Sequence, residues 1–194
     1  VRRIVNEISY PQSGTHQKNW APFFWRNSSD GRKETFSSGP DIFFVQSINP
    51  LRIVKINMSD TVDNHPSLKQ KIPHYLVSEA PTALLGYRFG ELRGSTNVVD
   101  LGDRYIAMFH SVHRLEGSFL TTYWFGAYTF TKNPPFRLLE ITVEPIMDER
   151  LYTGAWHPVY RNRFLDYVVF PIGLRKFDHN TLLMSFGWQD LHGY

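Results

Sequence analysis

The amino-acid sequence predicts an all-β protein, and three observations support that prediction. Apolar residues recur at every second position or in short continuous runs, which is the spacing of strands rather than of helices. The runs are rich in aromatic and β-branched residues, which suit a half-buried pleated surface. Turn-forming residues stand between successive runs, so antiparallel hairpins are expected.

Eight strands are predicted, each from a short apolar run. Turns fall at Gly102-Asp103, at Asn133-Pro134-Pro135 and at Asp178-His179-Asn180, because these residue types favour turn backbone conformations. The segment Lys18 to Phe23 is predicted to lead into a further strand. The eight predicted strands are 41–47, 52–56, 97–101, 105–110, 123–130, 137–142, 167–170 and 181–186.

Two stretches lack a strand pattern. Residues 28–40 are rich in Ser, Gly, Asp and Lys, which predicts an exposed loop. Residues 57–81 contain three prolines and no clear period, and a helix is not excluded in either stretch. Neither stretch is long enough to form a helical domain.

Composition bounds the class of protein. A chain of 194 residues with 42% hydrophobic residues is long and apolar enough for one sizeable core, so residues 1–194 are expected to form a single domain. The absence of cysteine excludes disulfides, thiolate zinc sites, iron–sulfur clusters and cysteine nucleophiles. Disorder is disfavoured by the aromatic content of 15%.

Charge and hydropathy bound the partners. The net charge is +3 and the basic residues are scattered as singles and pairs, so no nucleic-acid surface is expected. No apolar run approaches the roughly 20 residues of a membrane helix, and the N-terminus lacks the apolar segment of a signal peptide. A soluble protein without membrane contact is expected; the compartment stays unknown, with the cytoplasm favoured.

Short strands at regular spacing admit a sandwich, a barrel or a β-propeller. One weak repeat favours the propeller: residues 98–110 and 168–187 each contain an apolar strand, a turn with Asp, Gly or Asn, and a strand ending in polar or aromatic residues. A propeller blade needs about 40 to 50 residues. Residues 1–194 would therefore hold three to four blades, which makes a partial propeller or a small complete one.

Four places carry candidate site residues. Lys18 and Asn19 stand beside an aromatic at a predicted strand start, and the amide of Asn19 offers a donor and an acceptor to a hydroxylated ligand. Arg93 precedes a glycine that permits close approach of a ligand to the backbone. His110 and Asp190 follow the ends of apolar strands, where ligand groups often sit. Each also has a purely structural interpretation as a turn or core residue.

Two further chemistries are not expected. His110 and His113 lack a visible third ligand, so no metal site is predicted. Serine, histidine and aspartate are all present, but no Gly-x-Ser-x-Gly turn exists to expose a nucleophilic serine. No cofactor is therefore expected.

The order of several segments resembles glycoside hydrolase family 130, the five-bladed propellers of the β-mannoside phosphorylases and hydrolases, and the related mannosyltransferase-phosphorylases. The resemblance extends from Lys18 to Asp190. It implies inverting attack of phosphate, or of water in the hydrolases, on a mannosyl unit. The segments that carry the resemblance are 18–23, 44–50, 93–97 with 109–111, 134–136 with 141–146, and 169–174 with 185–190.

The resemblance also implies site residues. Lys18, Arg93 and His110 would bind phosphate, which acts as a co-substrate, and Asn19 and Asp190 would bind the hydroxyls of the sugar. Cations for an oxyanion, with a carboxylate and an amide for hydroxyls, form a chemically consistent site. The expected partner is an oligosaccharide or a mannosyl donor.

The sequence also departs from that family. The family's general acid lies in an Asp-Pro-Arg-type motif upstream of the segment that Lys18 matches, and this sequence contains no Asp-Pro-Arg. The catalytic acid is thus unidentified and expected upstream of Val1, so a missing chain segment or a homo-oligomer is an expected partner. Lys18 replaces an arginine and lacks its forked donor. The alternatives are a glycan-binding propeller without turnover and an interaction module.

Overall fold

The structure is a computed structural model that describes seven ranges of the chain. Within them the chain forms twelve strands and one short helix, which confirms the predicted all-β class. The strands make three antiparallel sheets, called sheets 1, 2 and 3 in chain order. The described ranges are 19–25, 41–56, 74–80, 87–114, 121–152, 168–188 and 192–193.

Sheet 1 is a four-stranded meander in which each strand pairs with the next along the chain. Its second and third strands are joined by a two-residue turn, Asn49-Pro50, so their pairing is local. Sheet 1 contains β1 (Ala21–Trp25), β2 (Asp41–Ile48), β3 (Leu51–Ile56) and β4 (His74–Ala80).

Sheet 2 is five-stranded, and two very short strands share one edge of its longest strand. The short strands β5 and β6 pair with different parts of β7, so together they act as one interrupted edge strand. Sheet 2 contains β5 (Glu91–Gly94), β6 (Val99–Asp100), β7 (Arg104–Arg114), β8 (Thr121–Thr131) and β9 (Leu138–Ile141).

Sheet 3 contains β10 (Val169–Lys176), β11 (Leu182–Trp188) and β12 (His192–Gly193). Along the chain, a single helical turn, α1 (Glu149–Tyr152), separates the last strand of sheet 2 from the first strand of sheet 3. Asp148 accepts a hydrogen bond from the backbone N–H of Arg150 at 2.9 Å, so it caps this turn. Among the described residues no helix is both long and apolar enough to cross a membrane.

Sheet 2 packs against both of its neighbours. On β7, Phe109 faces a cluster shared with sheet 1, and Met108 faces a cluster shared with sheet 3. Successive strand residues point to opposite faces, so a strand covered on both sides needs apolar residues at every position. This double burial explains the continuous apolar run of β7, and the three sheets form a layered stack.

The segment Ser95 to Val98, between β5 and β6, is bonded to all three sheets. The hydroxyl of Thr96 accepts a hydrogen bond from the backbone N–H of Met108 in sheet 2 at 3.0 Å. The amide of Asn97 donates to the carbonyl of Leu174 in sheet 3 at 2.9 Å and accepts from its N–H at 3.0 Å. The N–H of Val98 donates to the carbonyl of Pro22 in sheet 1 at 3.0 Å.

The predicted strands agree with the β2–β3 and β7–β8 hairpins but not with β10 or with the shortest strands. The predicted strand 167–170 is wrong in its bounds, because β10 runs from Val169 to Lys176. The three predicted turns join β6 to β7, β8 to β9 and β10 to β11. The predicted strand 97–101 is wrong in length, because its first residues bond to other sheets and only Val99–Asp100 pairs as a strand. The sequence predicts no strand in residues 57–81, but β4 lies within that range and pairs with β3.

Candidate functional site

Two predicted site residues lie side by side. Arg93 on β5 is directly opposite His110 on β7. Residues opposite each other in an antiparallel pair point to the same face, with Cβ atoms about 5 Å apart. Sheet pairing therefore brings together an arginine and a histidine that are 17 positions apart in the sequence.

His110 is almost completely covered. Its side chain is 2% exposed and its ring lies against two aromatic rings, with centroids 5.9 Å from Tyr123 and 4.4 Å from Phe170. Its Nδ1 atom is 3.0 Å from the hydroxyl of Ser95. The imidazole is thus held rigidly, and it positions a hydroxyl group while offering solvent almost no surface of its own.

Arg93 is the accessible member of the pair. Its guanidinium side chain is 37% exposed and makes an ion pair with Glu91 at 2.7 Å. Both residues lie on β5, two positions apart and therefore on one face. Exposed ion pairs stabilise a protein by at most about 1 kcal/mol. An incoming anion can therefore replace Glu91 on the guanidinium at small energetic cost.

Asn19 meets the same strand from the other side. Its backbone has φ of 71°, a left-handed conformation that asparagine tolerates better than most residues. Its carbonyl oxygen occupies the place where a Cβ of Gly94 would stand. The glycine was predicted to admit a ligand, but its space is taken by the Asn19 backbone. Gly94 and Arg93 are successive strand residues, so the Asn19 backbone beside Gly94 lies on one face of β5 and the Arg93 side chain lies on the other.

The other two predicted site residues, Lys18 and Asp190, lie outside the described residues. Lys18 directly precedes Asn19, and Asp190 follows the end of β11 by two positions. The end of β11 is fixed by Trp188, whose indole N–H donates to the carbonyl of Leu151 at 2.7 Å. Within the described ranges, no three acidic or histidine side chains are grouped as metal ligands would be.

Three buried polar atoms near Arg93 were not predicted from the sequence. The hydroxyls of Tyr87 and Ser111 and the indole N–H of Trp124 are buried and make no hydrogen bond to the described residues. Burial raises the pKa of the Tyr87 hydroxyl. Ser111 is opposite Leu92, the residue before Arg93. Its only sequence signal is a serine that directly follows His110 on β7.

No protein-family model matches the chain, and a search of curated proteins found no match. A function can therefore be inferred only from the geometry and chemistry of these residues. They define a place where a partly exposed guanidinium, a buried imidazole and a fixed serine hydroxyl lie at one edge of sheet 2, with the Asn19 backbone on its opposite face.

Proposed function

We propose that the chain forms part of a five-bladed type of β-propeller that acts on mannose-type glycans. Two of the described sheets are four-strand antiparallel meanders, sheet 2 counting its interrupted edge as one strand, and sheet 3 has three paired strands. Successive propeller blades are small antiparallel sheets of this kind, packed face to face. Consecutive sheets that pack through shared apolar clusters support this architecture.

The observation that carries the proposal is the pairing of Arg93 with His110. A guanidinium beside a histidine-bound hydroxyl provides charged and neutral donors for one oxyanion. We therefore place phosphate at Arg93, with the Ser95 hydroxyl as its second donor. This role requires the His110 Nδ1–H to donate to Ser95 Oγ, which leaves the serine O–H for the phosphate. Lys18 and Asp190 belong to the proposed site through the sequence resemblance alone.

The proposed reaction is inverting phosphorolysis or mannosyl transfer. In phosphorolysis, a phosphate oxygen forms a bond to the anomeric carbon as the bond from that carbon to the leaving oxygen breaks on the opposite face. The leaving oxygen takes a proton from a general acid, which this sequence does not identify. Arg93 would hold the attacking phosphate, and Asp190 would hold the sugar hydroxyls. Asn19 was expected to hold them too, but its backbone lies on the other face of β5 from the guanidinium, so its part in the site rests on the sequence resemblance alone.

The activity test uses β-1,4-mannobiose and inorganic phosphate, with mannose 1-phosphate measured by phosphorus NMR. We expect Arg93→Ala to raise the phosphate concentration needed for half-maximal turnover by about tenfold or more, because a charged hydrogen bond is lost. Arg175→Ala, at an exposed position of β10, is the matched control. Unchanged phosphate dependence in Arg93→Ala would contradict the placement of phosphate.

Two more variants separate the sugar from the phosphate. Asp190→Ala is expected to abolish mannobiose binding in calorimetry, and His110→Ala is expected to weaken phosphate use more than sugar binding. Because His110 is buried, His110→Gln is a second variant that retains a polar side chain near Ser95. If both sugar and phosphate binding were unchanged in all of these variants, the site assignment would be wrong.

The alternative is a glycan-binding propeller without turnover, and the missing Asp-Pro-Arg motif favours it. Such a protein would bind mannobiose and release no mannose 1-phosphate in the same assay. An interaction module would show neither binding nor product, so one pair of measurements separates the three functions.

A further inference from the structure

Glu91 lies beside the proposed phosphate position and has no part in the proposed reaction. Both of its hydrogen bonds from Arg93 end on one carboxylate oxygen, since Nε donates to Oε2 at 3.2 Å and Nη2 donates to Oε2 at 2.7 Å. The second oxygen, Oε1, takes no part in these bonds. Because the Glu91 side chain is 73% exposed, this carboxylate can accept a hydrogen bond from an incoming ligand.

The strand keeps Glu91 close to any anion that binds to Arg93. The two residues are two positions apart on β5 and therefore lie on one face of the strand. Residues with that spacing are about 7 Å apart along a strand, and both side chains are long. A ligand that replaces Oε2 on the guanidinium therefore still has the Glu91 carboxylate as its neighbour.

A carboxylate beside a guanidinium affects two tetrahedral oxyanions differently. At neutral pH inorganic phosphate always carries at least one O–H group, whereas sulfate carries none. An ionised carboxylate accepts hydrogen bonds and cannot donate them, so it can bond to phosphate but can only repel sulfate. Neighbouring like charges are destabilising, and a site that bonds to an O–H group discriminates against an analogue that lacks it.

We propose that Glu91 selects hydrogen phosphate over sulfate at the Arg93 site. In the bound state the guanidinium donates to the phosphate oxygens, and the phosphate O–H donates to the Glu91 carboxylate. This inference rests on the proposed placement of phosphate at Arg93. It adds the specificity of that site, which is for a tetrahedral oxyanion that retains a proton.

Calorimetric titration with phosphate, sulfate and arsenate, at neutral pH and one ionic strength, tests the proposal. The unaltered chain is expected to bind sulfate about tenfold more weakly than phosphate, because sulfate lacks one charge-assisted hydrogen bond. Arsenate retains an O–H group and is expected to bind like phosphate. In Glu91→Gln the dissociation constants of sulfate and phosphate are expected to differ by about twofold or less, because an amide both donates and accepts.

Glu79→Gln is the matched control. Glu79 is also an exposed strand glutamate paired with an arginine, since it lies 3.0 Å from Arg52, but it belongs to sheet 1. This variant changes the net charge of the chain as Glu91→Gln does. It is therefore expected to retain the preference for phosphate over sulfate.

Three outcomes would overturn the proposal: equal binding of phosphate and sulfate by the unaltered chain, a preference for phosphate that Glu91→Gln retains, or a preference that Glu79→Gln loses. Arg93→Ala separates this inference from the proposed function. If Arg93→Ala weakens phosphate binding and Glu91→Gln leaves the preference unchanged, the phosphate placement stands and the role of Glu91 is refuted. Phosphate binding that is absent from the unaltered chain, or unchanged in Arg93→Ala, refutes both.

Discussion

The effect of a buried polar atom on stability depends on whether it has a hydrogen-bond partner. The ring of Tyr128 is 1% exposed, and its hydroxyl makes no hydrogen bond to the described residues. An unsatisfied buried hydroxyl costs about 1 to 3 kcal/mol relative to its hydrated state. His110 shows the opposite arrangement, since its Nδ1 lies 3.0 Å from Ser95 Oγ.

Tyr128→Phe is therefore expected to raise the free energy of unfolding by about 1 kcal/mol, because it removes an unpaired polar atom and keeps the ring. Urea denaturation measures the change. Tyr105→Phe is the control, since the Tyr105 hydroxyl has the carbonyl of Phe24 as partner and its removal brings no such gain. A lower stability of Tyr128→Phe would mean that its hydroxyl is bonded to water or to another part of the chain.

At the scale of elements, Asn97 completes an exposed strand edge. β10 is an edge strand of sheet 3, and edge strands leave N–H and C=O groups without strand partners. The Asn97 side chain bonds to both backbone groups of Leu174, from a position 77 residues away in sequence. One side chain thus replaces a neighbouring strand at that point and holds sheet 3 to sheet 2.

We expect Asn97→Ala to lower the free energy of unfolding by about 2 kcal/mol, because two hydrogen bonds are lost and the Leu174 backbone is left partly buried. Thermal or urea denaturation would detect this loss. Asn180→Ala, at an exposed turn position, is the control and should change stability little. Equal stability of the two variants would show that Asn97 does not hold sheet 3.

The elements also show what sequence can and cannot predict. The alternation and aromatic content of β7 and β8 predict both strands well, because apolar and aromatic residue types indicate which positions are buried on a sheet face. β5 has four residues and ends in glycine, so it carries no period. Arg93 could be nominated from its neighbours, but its position opposite His110 depends on pairing between distant strands. The buried cluster of Tyr87 and Ser111 arises only from packing and has no local pattern.

At the scale of the whole molecule, buried tyrosines set the behaviour at alkaline pH. Burial raises the pKa of Tyr105 to about 12 from an ordinary 10.0 and raises the pKa of Tyr128 and Tyr152 as well. These residues lie in both apolar clusters. The unfolded chain releases their protons at lower pH than the folded chain does, so unfolding is favoured as the pH rises.

The tyrosine contribution to stability is therefore expected to be fully present below pH 10 and to be lost as the pH rises from 10 towards 12. Urea titrations at increasing alkaline pH should show this decline. Tyrosinate absorbance at 295 nm should rise in two stages, with the buried fraction appearing only on unfolding. Ionisation of all ten tyrosines in a single step near pH 10, with the fold intact, would contradict it.

The bonded segment Ser95 to Val98 bears on whether the sheets can be exchanged. In a protein made of similar stacked sheets, each sheet could be expected to be an independent unit that can be deleted, duplicated or moved. Here, removing sheet 3 would remove the Leu174 backbone to which the Asn97 side chain bonds, and it would expose Met108. Removing sheet 1 would remove the Pro22 carbonyl to which the N–H of Val98 donates. A single sheet is therefore not a transplantable cassette, and a graft must carry the block from Ala21 to Trp188 or supply a substitute for Asn97.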